Sequence, residues 1–181
     1  MSNVFLNKFA NNRFLSDQRG ASLLEGIAYL GIAALVILGA VSLLSGAFSS
    51  ATTNRAAEEI IAIRTAVKKL YMGQNVGYGT GALATDLNNA KALPTTLAVT
   101  SSSGVTTFKN AWDGAVVITG AGNTFTISYE SIPKDVCINL LSTSTGWNSV
   151  KVGNNTLSTP ISPTTASNNC GDSNTIVWTS N

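Results

Sequence analysis

The chain has 181 residues, 11% of them charged, with a net charge of +2 and no histidine. That length allows one domain with a real core. The missing histidine excludes Ser-His and Cys-His nucleophile systems, and the near-neutral balance excludes a strong field for nucleic acid or other polyanions. No CxxC, HExxH or EF-hand spacing is present, and the acids Asp86, Asp113, Glu130, Asp135 and Asp172 are scattered. Nothing favours paired-carboxylate hydrolysis, so the expectation is a protein that is not an enzyme and needs no cofactor or metal.

Residues 1–20 are polar, carry Lys8, Arg13 and Arg19, and end in glycine. A secretory signal would place its apolar region before the cut; here the apolar run follows Gly20. That order suggests cleavage on the cytoplasmic side with the helix retained. An uncleaved signal anchor with a short cytoplasmic tail is the plainer alternative. From Ala21 to Phe48 the only charge is Glu25, and no proline interrupts. About 20 such residues suffice to cross a bilayer as a helix. Basic residues flank the span on both sides, so charge alone does not set its orientation. Two cysteines, Cys137 and Cys170, and a Thr-rich later half favour the carboxyl side lying outside the cytoplasm. Glu25 can be read as an acid favoured by the helix dipole. It can also be read as a pairing group: a cut after Gly20 would give Ala21 a free ammonium one turn away, at i, i+4.

Gly20, then Ala21-Ser22-Leu23-Leu24-Glu25, then a long apolar helix resembles a type IV prepilin. The long leader and the sizeable mature chain resemble the type IVb subclass, and the wording of residues 22–33 is similar to thin-pilus prepilins of conjugative plasmids and enteric bacteria. The resemblance implies a prepilin peptidase that cuts after Gly20 and methylates the new amino terminus at Ala21. It also implies that Glu25 guides docking. Ala21 departs from the larger residues usual at that place, and Ser42 stands where many type IVa pilins carry a proline. Gly39 and Gly46 are the local weak points of the helix instead.

Residues 55–72 read as an amphipathic continuation. Ile60, Ile63, Val67 and Leu70 recur at spacings of 3, 4 and 3. Glu58, Glu59, Arg64 and Lys68 mark the wet side, with only weak pairing between Glu59 and Arg64. Unbroken from Ala21 to Met72, the helix would be about 78 Å long. Residues 73–82 read as glycine-rich loop and are not a phosphate loop, since no Lys follows GYGTG. Residues 83–92 suggest a short helix, and Leu97–Val99 and Val105–Phe108 suggest strands. Asn110-Ala111-Trp112-Asp113-Gly114 is a turn similar to the Asn-x-Trp-Gly-Gly stretch of many pilins, with Asp113 in place of the first glycine. Ala115–Thr119 and Thr124–Tyr129 form a hairpin pattern that buries Phe125, Ile127 and Tyr129 on one face. Residues 131–141 read as a helix start and helix with Pro133 in the first turn, Trp147–Val152 as a strand, 153–169 as loop and Thr175–Thr179 as a last strand. Joining Cys137 to Cys170 would be worth about 3.7 kcal/mol by loop closure. In pilins such a bridge bounds the variable surface region.

The expected fold is α+β: a long N-terminal helix whose C-terminal half packs on an antiparallel sheet, with a disulfide-bounded C-terminal region. The expected segments are a leader at 1–20, a transmembrane or filament-core helix at 21–54 and a globular head at 55–181. The function expected from the resemblance is the major subunit of a type IVb pilus. Such a subunit resides in the inner membrane as a prepilin and polymerises with itself, through inner-membrane assembly machinery, into an extracellular filament. The filament would serve conjugation or adhesion, with a receptor on the contacted cell. A minor pilin or secretion-system pseudopilin shares the leader logic, and a signal-anchored exported binding domain is the reading from another class.

Overall fold

A computed structural model describes residues 19–75, 77–102 and 105–181. Residues 1–18, which hold most of the expected leader, and Val76, Ser103 and Gly104 lie outside the described residues. The first element, α1, spans Arg19–Leu70. The chain forms two compact units that divide between Ser45 and Gly46.

In the first unit the described residues are all helical. Every large apolar side chain from Leu23 to Leu44 is exposed, the least of them Leu44 at 55%. The helix is long and apolar enough to cross a membrane by length and composition, with a mean hydropathy of 2.5 in its most apolar stretch.

The second unit starts with the rest of α1. The Thr52 and Thr53 hydroxyls donate back to the Phe48 and Ser49 carbonyls at 2.9 and 2.7 Å. These bonds satisfy the hydroxyls on the helix itself. From Ala56 the helix acquires its packing stripe: Ala56, Ile60, Ile63 and Val67 are buried, while Ile61 is 60% exposed. The stripe lies on an antiparallel sheet of strands β1 (Thr80–Ala82), β2 (Ala98–Ser102), β3 (Val105–Lys109), β4 (Ala115–Ala121), β5 (Thr124–Pro133), β6 (Ser149–Val152), β7 (Asn155–Leu157) and β8 (Ser173–Ser180). Their order is β2-β3-β4-β5-β8-β6-β7, with β1 paired to β4. Phe125, Ile127 and Tyr129 of β5 point inward and are fully buried, as are Ile118, Val150 and Ile176 of β4, β6 and β8. They meet Ile60, Ile63 and Val67 in one core. The short helices α2 (Ala84–Asn89), α3 (Lys134–Thr143) and α4 (Pro163–Asn169) complete the unit.

The structure corrects several readings. Glu59 is not on the wet side but 5% exposed. Arg55, one turn earlier, makes this tolerable: its Nε donates to Glu59 Oε1 at 3.1 Å, and its Nη2 donates to the Thr96 carbonyl. Arg64 is turned elsewhere, toward Gly146 and Ser180. Residues 73–82 are not all loop. β1 adds to the edge of β4 left open beyond β3, with Thr80 opposite Ala121. Glycine makes the approach feasible, because a side chain at Gly120 would collide with the Tyr78 carbonyl. Residues 153–169 contain β7 and α4. Gly153, at φ +55°, turns the chain so that Val152 pairs with Asn155. Ser162 caps α4 by accepting from the Thr165 amide, with Pro163 at the first helical position. Ser131 and Ile132 belong to β5 rather than to a helix start, and Pro133 is the N-cap of α3.

The Asn110 side chain makes three hydrogen bonds in its turn. Asn110 Nδ2 donates to the Glu130 carbonyl at 2.7 Å, and its Oδ1 accepts from the Trp112 and Gly114 amides at 3.0 and 2.9 Å. Asp113 sits at φ +61°, a left-handed conformation that favours glycine and that aspartate tolerates better than most residues.

Candidate assembly surface

Gly20 and Ala21 lie in the first turn of α1. Glu25 follows one turn after Ala21, on the same helix. Its side chain is exposed and accepts a hydrogen bond from the Tyr29 hydroxyl at 3.2 Å. Glu25 is thus the sole carboxylate on an apolar surface running from Leu23 to Leu44. A soluble monomer rarely exposes such an area without a use for it. Covering it is worth on the order of tens of kcal/mol relative to water, at roughly 1.5–3 kcal/mol per large side chain.

In the second unit, α1 and α3 form a groove of about 640 Å³ lined by small polar side chains, with Asp135 as its carboxylate. Ser49 donates to Asp135 Oδ2 at 2.8 Å across this groove. The groove offers no nucleophile–base pair, and no group of acids and cysteines able to hold a metal occurs among the described residues. Further along α1, Arg64 lies 4.6 Å from the Trp147 ring centroid. It donates to Ser180 Oγ at 3.0 Å and to the Gly146 carbonyl. It therefore fastens the long helix to both the last strand and the loop before β6.

Cys137 of α3 and Cys170 at the end of α4 form a disulfide with Cα atoms 6.0 Å apart. It closes a separation of 33 residues, containing most of α3 and all of β6, β7 and α4. Within this segment β6 pairs with β8, so the bridged region is also anchored in the sheet. Behind it, Asn174 fixes the Cys170-Gly171 corner: its Oδ1 accepts from the Gly171 amide, and its Nδ2 donates to the Ile132 and Gly171 carbonyls.

Tyr129 lies in the core with its hydroxyl buried and without a hydrogen-bond partner among the described residues. Burial first, and then the Glu59 carboxylate, which is close enough to act on the phenol although outside hydrogen-bonding geometry, push it well above the ordinary tyrosine range.

The structure therefore joins Cys137 to Cys170 and places Gly20 and Ala21 in the first turn of α1, with Glu25 one turn further on. Sequence reasoning overlooked Tyr29, the Ser49–Asp135 bond and the Arg64 clamp. Only Tyr29 carried a signal, as the one hydrogen-bonding side chain between Glu25 and Ser42.

A long apolar N-terminal helix whose second half lies on an antiparallel sheet, followed by a disulfide-bounded C-terminal region, defines the type IV pilin fold. The structure is similar to that of a type IVb pilin from Salmonella typhi, with a TM-score of 0.60 and 24% identity, covering 69% of this chain and 97% of that one. It is also similar to TcpA, a type IV pilin from Vibrio cholerae El Tor biotype, with a TM-score of 0.52 and 15% identity, covering 72% and 99%. No curated protein sequence matches the chain. The family profile described as PilS N terminal matches residues 50–181, and the chain belongs to that family of type IV pilins. Its members are structural subunits, not enzymes, and polymerise into extracellular pili.

Proposed function

We propose that this chain is the major subunit of a type IVb pilus, made as a membrane-resident prepilin and cut after Gly20. In this reading residues 1–20 are the leader, 21–54 the helix that crosses the inner membrane and then lines the filament core, and 55–181 the head. The observation that carries it is the uncovered apolar surface of α1 with its single carboxylate, Glu25, five positions after Gly20. Bilayer and filament core are both apolar, so moving the helix from one to the other is not strongly uphill. Docking register is then decided by charge. An ammonium at Ala21 of one subunit neutralises Glu25 of another, and a misplaced subunit leaves a carboxylate unpaired in hydrocarbon.

A prepilin peptidase would release and methylate the Ala21 amine, and inner-membrane machinery would extrude the polymer. The filament would act in cell–cell contact, either conjugation or adhesion, with the disulfide-bounded region facing a surface receptor. Counting copies tests the assignment. Sheared fibres should contain this chain as their main protein, decorated along their whole length by gold-labelled antibody. Label confined to fibre ends, or to the cell envelope, would make it a minor pilin or a pseudopilin.

A further inference from the structure

From Gly26 to Val41 the helix carries one side chain able to hydrogen bond, Tyr29. It lies four residues after Glu25, and its hydroxyl donates to Glu25 Oε1 at 3.2 Å. The geometry follows from the helix itself. Side chains lean toward the helix N-terminus, so a long side chain at i+4 covers the turn that holds residue i. The sequence has an obvious alternative. Phenylalanine would give the same apolar ring without a hydroxyl, at a residue whose Cα lies about 6 Å further along the apolar helix than that of Glu25. A hydroxyl there is costly when unpaired, so its presence is explained by the carboxylate it meets.

We propose that Tyr29 is a positioning residue for Glu25. Its hydroxyl holds one carboxylate oxygen against the helix while the subunit waits in the bilayer. The carboxylate then stays oriented for the amino terminus of a second copy. Without that bond, Glu25 swings toward the lipid headgroups, and that movement must be reversed before docking. This rests on the reading of Glu25 as the docking carboxylate, and the two ideas fail separately.

Two measurements on the full chain test it. In phosphatidylethanolamine–phosphatidylglycerol bilayers, protein labelled with carbon-13 at the tyrosine Cζ gives signals from four tyrosines. Tyr29→Phe identifies the Tyr29 signal by removing it. Glu25→Gln should then move that signal and leave those of Tyr71, Tyr78 and Tyr129 in place. In pilus-producing cells, Tyr29→Phe should lower the yield of sheared filaments roughly tenfold, the factor expected for one charge-assisted hydrogen bond, with the membrane pool of the protein unchanged. The double variant Tyr29→Phe/Glu25→Gln should fall no lower than Glu25→Gln alone. A Tyr29 signal blind to Glu25→Gln, or losses that multiply in the double variant, would overturn the proposal. So would full filament yield from Tyr29→Phe beside a loss from Glu25→Gln. Full yield from Glu25→Gln would instead overturn the docking role of Glu25 itself, whatever the tyrosine signal shows.

Discussion

Gly114→Ala should be among the most damaging small substitutions in the head. A Cβ at Gly114 would lie 2.5 Å from the Glu130 carbonyl carbon, closer still to its oxygen, and 3.0 Å from Asn110 Nδ2. The obstacle is backbone of β5, which cannot rotate away as a side chain can. Relief requires the start of β4 to move off β5, and the three Asn110 hydrogen bonds span that gap. Overpacking costs roughly 1–3 kcal/mol, and three compromised hydrogen bonds add about 1 kcal/mol each at most. A loss of about 3–5 kcal/mol is a large share of the 5–15 kcal/mol typical of a folded domain. Asp113→Gly is the control one residue away. It relieves a left-handed aspartate, worth roughly 1 kcal/mol, and removes an ion pair with Lys109 whose side chains are 50% and 83% exposed, worth about 0–1 kcal/mol. Its net effect should stay within about 1 kcal/mol. Urea unfolding of the full chain in detergent, followed by the fluorescence of buried Trp147 and Trp178, reads both variants. A Gly114→Ala midpoint within about 0.5 kcal/mol of the parent would show that the Asn110 turn does not lock β4 to β5, and the steric argument would fail.

Replacing Cys137 and Cys170 together by Ala should cost about 3–4 kcal/mol from the closure of 33 residue steps; equal urea midpoints for the variant and the oxidised parent would contradict this. Tyr129→Phe removes a buried hydroxyl that lacks a partner, so it should leave stability at neutral pH unchanged or raise it by up to about 1 kcal/mol, and a loss above that size would mean that the hydroxyl is bonded. The raised Tyr129 phenol also sets a pH dependence. Its contribution is fully present below the unfolded value of about pH 10 and is lost as pH rises from there toward the higher folded value, at about 1.4 kcal/mol per pH unit. Tyr129→Phe should flatten that alkaline slope, and an unaltered slope would refute the assignment. Arg64→Ala should cost about 1–3 kcal/mol through the lost Trp147 stacking and two hydrogen bonds, and should loosen the loop around Gly146 in hydrogen exchange; unchanged exchange there would argue against the clamp.

The parts of the fold visible in the sequence are those with a single strong period. The unbroken helix followed from the absence of proline, and the buried face of β5 from the alternation of Phe125, Ile127 and Tyr129. Glu59 was hidden because its burial depends on Arg55 reaching Thr96, a contact across 41 positions. β1 was hidden because Thr80 is the one strand former in Thr80-Gly81-Ala82; the pairing is set by β4 and by the absence of a side chain at Gly120. α4 did have a local signature, Ser162-Pro163, but it stands within a polar stretch whose composition argued for loop. At the candidate assembly surface, the roles proposed for Gly20, Ala21 and Glu25 come from the resemblance of residues 20–33 to prepilins. The Ser49–Asp135 bond joins positions 86 apart, and no pattern in either segment points to the other.

Cleavage after Gly20 and assembly into filaments through the apolar α1 surface, as proposed above, can be checked by intact mass and amino-terminal sequencing of protein sheared from cells. The expected chain begins at Ala21, carries one additional methyl group and retains the Cys137–Cys170 disulfide. A chain that still begins at Met1 or Ser2 would contradict it, leaving a plain signal anchor and a Glu25 with no ammonium to meet.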